Sequence, residues 1–132
     1  MRMVVNRRGW MGLLLLLGLV PAGRAAAAER KQIVHHVFFW LKNPASTADA
    51  EKLIAGLRTL RAIPQIRELR IGVPAATEQR SVVDNSYQVS ELIVFDTVED
   101  QRRYQEHPVH KAFVGACEGL WDRVVVYDSV DV

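Results

Sequence analysis

Ile33-Val34-His35-His36-Val37-Phe38-Phe39-Trp40-Leu41 is a continuous run of β-branched, aromatic and aliphatic side chains with only two histidines in it. Such a run reads as a strand, because branched and aromatic side chains pack well on a pleated surface. Alternation puts Ile33, His35, Val37, Phe39 and Leu41 on one face and Val34, His36, Phe38 and Trp40 on the other. Both sets are largely apolar, so this strand needs cover on both sides.

Asn43-Pro44 stops the strand, and Ser46 or Thr47 caps a helix with Asp49 and Glu51 in its first turn. Ala50, Leu53, Ile54, Leu57 and Leu60 recur at helical spacing and give that helix one apolar face; Pro64 ends it. Residues 66–73 alternate apolar with charged and predict a second, partly exposed strand, and 74–85 are polar and irregular. Tyr87 to Phe95 predicts a third strand, Val98 to about Cys117 a helix broken near Pro108, and Trp121 to Val130 a closing strand. The order β-α-β-β-α-β is that of an α+β, ferredoxin-like sandwich in one small domain. Two helices cover one face of such a sheet. The other face would expose Phe38 and Trp40, and an apolar patch of that size marks an interface. The expectation is a homodimer packed sheet against sheet.

The segment before this domain has the pattern of an export signal. Arg2, Arg7 and Arg8 make its start positive, residues 13–20 are apolar, Pro21-Ala22-Gly23 breaks the run, and Ala25 to Ala28 offers small residues for cleavage. The reading is a signal peptide over 1–28, cut between about 25 and 28, and a domain over 29–132. The apolar run is shorter than the roughly 20 residues a membrane-spanning helix needs. Arg7-Arg8 followed by Gly9, Trp10 and Met11 resembles a twin-arginine signal, and the general secretory route stays open beside it. The destination is the periplasm or the medium, with no membrane attachment after cleavage.

Four of the 17 basic residues (Arg2, Arg7, Arg8, Arg24) precede Glu29 and none of the 15 acids does, which leaves 13 basic against 15 acidic groups in the domain. With no basic patch interleaved with aromatics, nucleic acid is not an expected partner. The single cysteine, Cys117, forms no internal disulfide and reads as a small buried apolar residue.

The chemistry-bearing residues gather in Tyr104…His107-Pro108-Val109-His110-Lys111-Ala112-Phe113. This segment, the strand His35 to Lys42, the run Tyr87 to Phe95 and the closing Trp121…Tyr127-Asp128 together resemble the stress-responsive dimeric α/β-barrel (Dabb) family. The resemblance implies a ferredoxin-like domain that dimerises into an α/β barrel. Most members have no established activity, and several are tied to stress tolerance. One plant member, olivetolic acid cyclase, closes a linear polyketide by an intramolecular aldol reaction. Matching its motif puts a catalytic histidine and tyrosine at His110 and Tyr104 and a pocket histidine at His35. A further pocket histidine falls on Val89, where this chain departs from the cyclase.

An aldol closure needs a base beside a carbonyl and a donor for the developing oxyanion. A neutral His110 suits the first role and the Tyr104 hydroxyl the second. The structural alternative is that His107-Pro108 joins two helices and His110 caps or bonds across the joint. Strand alternation places Glu91 on the helix-covered face with Tyr87, Val89, Ile93 and Phe95. A buried carboxylate there is costly unless paired or protonated, so Glu91 reads either as an acid of raised pKa, or as the partner of an arginine, or as turned out by a bulge. The ligand-binding set is then His35, Tyr87, Val89, Glu91 and His107. His107 and His110 at i, i+3 raise a metal site, but Pro108 lies between them, and no metal or cofactor is assigned. The expected role is binding a small, partly apolar molecule, or a structural part in the stress response. The alternative is a cofactor-independent enzyme of the aldol cyclase or lyase kind.

Overall fold

The computed structural model describes residues 31–132. The expected export leader at 1–28 lies outside them. The elements run β1 (Ile33–Leu41), α1 (Thr47–Thr59), β2 (Glu68–Gly72), β3 (Val89–Phe95), α2 (Val98–Glu106), α3 (Pro108–Cys117) and β4 (Trp121–Val130). A 3₁₀ turn follows α1 at Leu60–Ala62 and another precedes β4 at Glu118–Leu120. The four strands form one antiparallel sheet in the order β2-β3-β1-β4. This is the ferredoxin-like arrangement, with the expected second helix divided in two.

That division has a local cause. Proline lacks the N–H that a helix interior requires, so Pro108 cannot continue α2, but it suits the first turn of a new helix. His107 stands between the two in extended conformation and caps α3: its Nδ1 accepts the Val109 N–H at 3.1 Å. Of the two expected caps of α1, Ser46 is the one used, and α2 is capped by Thr97. Ser46 Oγ accepts the Asp49 N–H at 3.1 Å, and Thr97 Oγ1 accepts the Asp100 N–H at 3.0 Å.

The helices pack on the β1 face that carries Ile33, His35, Val37, Phe39 and Leu41, all buried, while Val34, His36, Phe38 and Trp40 opposite are half-buried. Leu53, Leu57, Leu60 and Ile63 from α1 and its turn meet Phe39, Val89, Ile93 and Phe95 of the sheet and Phe113 and Cys117 of α3. The contact between α1 and α3 is close because residue 56 is glycine. A Cβ there would stand 2.5 Å from Cys117 Sγ.

Two expectations need correction. The second strand covers Glu68–Gly72 rather than 66–73, and the third starts at Val89 rather than Tyr87. Tyr87 therefore does not follow the alternation of β3. Its ring packs edge-on against Phe38 with centroids 4.8 Å apart, on the open face of the sheet. On that face Tyr127 also meets Phe38, and the Arg123 guanidinium stacks over Trp40 at 4.3 Å. No helix of the described residues is long and apolar enough to cross a membrane.

Candidate functional site

The register of the sheet sets two rows of side chains beneath α2 and α3. His35 of β1 pairs with Ile93 of β3 and Asp128 of β4, and Val37 pairs with Glu91 and Val126. The first row thus brings His35 beside Asp128, and the second puts Glu91 next to Val37 and Val126. Tyr104 comes down from the last turn of α2 and His110 from the first turn of α3, so the break at Pro108 aims both at the same place.

They meet in a cavity of about 140 Å³. His35, Glu91, Tyr104 and His110 supply its chemistry, Phe39, Phe113 and Trp121 its aromatic wall, and Val124 and Val126 its β4 side. The two valines are 37% and 44% exposed although they lie on the helix side of the sheet, so the cavity opens along the β4 edge. Tyr104 and Glu91 are each only 1% exposed.

Inside, the Tyr104 hydroxyl donates to Glu91 Oε1 at 3.1 Å. Burial pushes the Glu91 carboxyl up to about 7, with the Tyr104 hydrogen bond pulling the other way. Burial, and then the neighbouring Glu91, hold the Tyr104 phenol far above its ordinary value, so it stays a donor. The His110 ring lies 4.6 Å from that of Tyr104. Burial lowers its pKa below the ordinary value, a hydrogen bond with the Gln105 backbone works the other way, and nearby His35 adds to the lowering. His110 is therefore neutral at pH 7. His35 Nδ1 lies 2.6 Å from Asp128 Oδ1. A carboxylate only accepts, so Nδ1 is the donor of this pair.

Of the residues singled out from the sequence, His35, Glu91, Tyr104 and His110 line this cavity. Val89 is fully buried in the core and is not part of the wall. Neither is His107, whose ring is used as the α3 cap, nor Tyr87 on the open face. His107 caps α3, and His110 bonds across the joint to the Gln105 backbone. Glu91 has Tyr104 as its partner, where an arginine or a bulge stood as the alternatives. Asp128, Gln105 and Trp121 were not singled out as site residues. The alternation of β4 could have put Asp128 on the helix side with Val124 and Val126, but only strand pairing shows that it faces His35. Among the described residues, no group of three or more His, Cys, Asp and Glu is placed to hold a metal ion.

This fold and site define a class. Residues 33–131 match the stress responsive A/B barrel domain family, Dabb, and the chain belongs to it. No match was found among curated protein sequences. Three solved structures are similar. A hydroxynitrile lyase from Passiflora edulis is 20% identical, with 79% of this chain and 96% of that chain covered, at a TM-score of 0.66. A Dabb family protein with a ferredoxin-like fold from Mesorhizobium loti is 21% identical, covering 77% and 98%, at 0.64. A dimeric ferredoxin-like protein from Thermobifida fusca is 20% identical, covering 78% and 93%, at 0.63. At these identities the likeness is one of fold.

Proposed function

We propose that the protein is an exported homodimer whose cavity binds a small, partly apolar molecule. The observation that carries this reading is the cavity itself. Hydrogen-bonding side chains, His35, Glu91, Tyr104, Gln105 and His110, converge within a largely apolar wall, the composition of small-molecule sites in general. A volume of about 140 Å³ is close to that of an engineered cavity of about 150 Å³ that takes benzene, so the ligand is about one ring or a short branched chain. The dimer is supported by the half-buried aromatic face of Phe38, Trp40 and Tyr87, and by the dimeric description of the Thermobifida fusca protein. Export rests on the pattern of residues 1–28 alone. Native mass spectrometry of the protein purified from its own cells tests the reading. A dimer carrying a small molecule is the expected result; an empty dimer under gentle conditions would count against ligand binding, and a monomer against the assembly.

A second reading is favoured by the pairing of Tyr104 with His110. A neutral His110 can accept a proton from a bound substrate while a hydroxyl holds the developing oxyanion, and this needs no cofactor. The Tyr104 proton is directed at Glu91, so Tyr104 serves the oxyanion only when Glu91 is itself protonated or the hydroxyl swings away. Likeness to a hydroxynitrile lyase makes mandelonitrile, a hydroxynitrile, the first substrate to try. His110 would take the hydroxyl proton as the bond to the nitrile carbon breaks and return it to the departing cyanide, so release of benzaldehyde and hydrogen cyanide that disappears in His110→Ala and Tyr104→Phe is the expected result. No release from the wild type would remove this reaction from the reading.

A further inference from the structure

We propose that the cavity selects a small organic cation, a protonated amine on a single ring or short branched chain, and that Glu91 determines this preference. The inference rests on the reading that the cavity binds a small molecule. Two independent features carry it. The first is the wall: Phe39, Tyr104, Phe113 and Trp121 line one cavity, with Trp121 centroids 5.1 Å from Phe39 and 6.0 Å from Phe113. Aromatic faces are negative and attract ammonium groups, more strongly where water is excluded. The second is a carboxyl group, Glu91, 1% exposed, with the Tyr104 hydroxyl as its hydrogen-bond donor and no lysine or arginine among the described residues lining the cavity.

A carboxylate taken out of water is costly unless a cation pairs with it. The described residues lining the cavity include no lysine or arginine to do so. The groups around Glu91 are Tyr104 from α2, His110 from α3, His35 from β1 with Asp128 of β4 bonded to it, and Ile71 paired across on β2. Burial disfavours the positive form of His110, so that ring does not offset the charge at neutral pH. Burial also brings the Glu91 carboxyl to about 7, so near neutrality it exchanges between neutral and ionised forms. A ligand ammonium brings the missing charge and draws Glu91 to the ionised form. A ligand carboxylate meets repulsion from Glu91 and finds no fixed cation among the described lining residues. A neutral alcohol or ketone of the same shape gains the wall contacts and one hydrogen bond, and no ion pair.

The test is titration calorimetry of the purified protein with benzylamine, benzyl alcohol and benzoate, which share one ring and differ in charge. At pH 8 and low salt, benzylamine is expected to bind at least tenfold more tightly than benzyl alcohol, with benzoate weakest. Between pH 6 and pH 8 the affinity for benzylamine should rise by up to about tenfold, as a group titrating near 7 ionises. Protonation of His110 at low pH acts in the same direction, so Glu91→Gln separates the causes: it should remove both the rise and the preference for amine over alcohol. The wild-type ranking stands without that variant, should the variant fold poorly. Equal affinity for alcohol and amine overturns the inference and leaves small-molecule binding in place. Absence of benzylamine binding overturns it as well, and native mass spectrometry then decides separately whether the cavity binds any small molecule.

Discussion

The Tyr104 hydroxyl and the Glu91 carboxylate, 13 residues apart, meet at 3.1 Å with both side chains withdrawn from solvent. The bond ties α2 to the centre of the sheet. It satisfies one oxygen of a buried acid, while burial and then the neighbouring Glu91 keep the phenol protonated. The same bond means that the two groups cannot be altered independently.

Glu91 makes stability depend on pH in a definite direction. Its folded pKa of about 7 lies above the ordinary 4.5, so between those values the folded state holds more protons than the unfolded one. This contribution is full below pH 4.5 and is lost as pH rises to 7. A shift of that size corresponds to roughly 3 kcal/mol. His110, whose pKa is lowered, acts oppositely: its contribution is present above 6.5 and is lost as pH falls. Chemical denaturation of wild type and Glu91→Gln at pH 5 and pH 8 isolates the first effect. The variant should be the more stable protein at pH 8, and the gap should shrink or reverse at pH 5.

His107→Ala should lower stability by about 1 kcal/mol, the usual cost of a lost helix cap, because its Nδ1 accepts the Val109 N–H. Benzylamine affinity should be unchanged, since His107 lies outside the cavity wall. A large affinity loss with little change in melting temperature would place the ring in the site after all.

Gly56→Ala should destabilise by roughly 1–3 kcal/mol, the usual cost of overpacking, since the added methyl would meet Cys117 Sγ at 2.5 Å and Phe113 at 3.2 Å. Shortening the opposing side chain makes room. The double variant Gly56→Ala, Cys117→Ala should therefore be more stable than the sum of the two single changes predicts, as measured by urea denaturation.

Phe38→Asp places a charge in the middle of the open face, where Phe38 touches His36, Tyr87 and Tyr127. If that face joins two copies, light scattering should show the wild type as a dimer and the variant as a monomer that keeps its circular dichroism spectrum. An unchanged dimer would move the interface elsewhere.

Much of this was legible in the chain. The nine residues of β1 carry a β-rich pattern from Ile33 to Leu41, and β4 is bounded as sharply at Trp121 and Val130. The cap at Ser46 and the interruption at Pro108 are local events, decided by side chains within three or four positions of the backbone groups they satisfy. The burial of Glu91 also followed from alternation within its strand. Tyr87 shows the limit of that argument: alternation holds only while the backbone stays extended and paired, and the ladder begins at Val89.

What tertiary structure alone decided is which distant side chains share a space. His35 and Asp128 are 93 positions apart and touch because β1 and β4 pair in one register; a slip by one residue would turn Asp128 to the opposite face. Likewise, the sequence places Tyr104 and His110 on either side of a proline, but the angle between α2 and α3 brings their rings to 4.6 Å over Glu91. Local chemistry determines elements, since its partners are near in the chain. The cavity depends on packing between elements, and a single sequence carries no direct record of those distances.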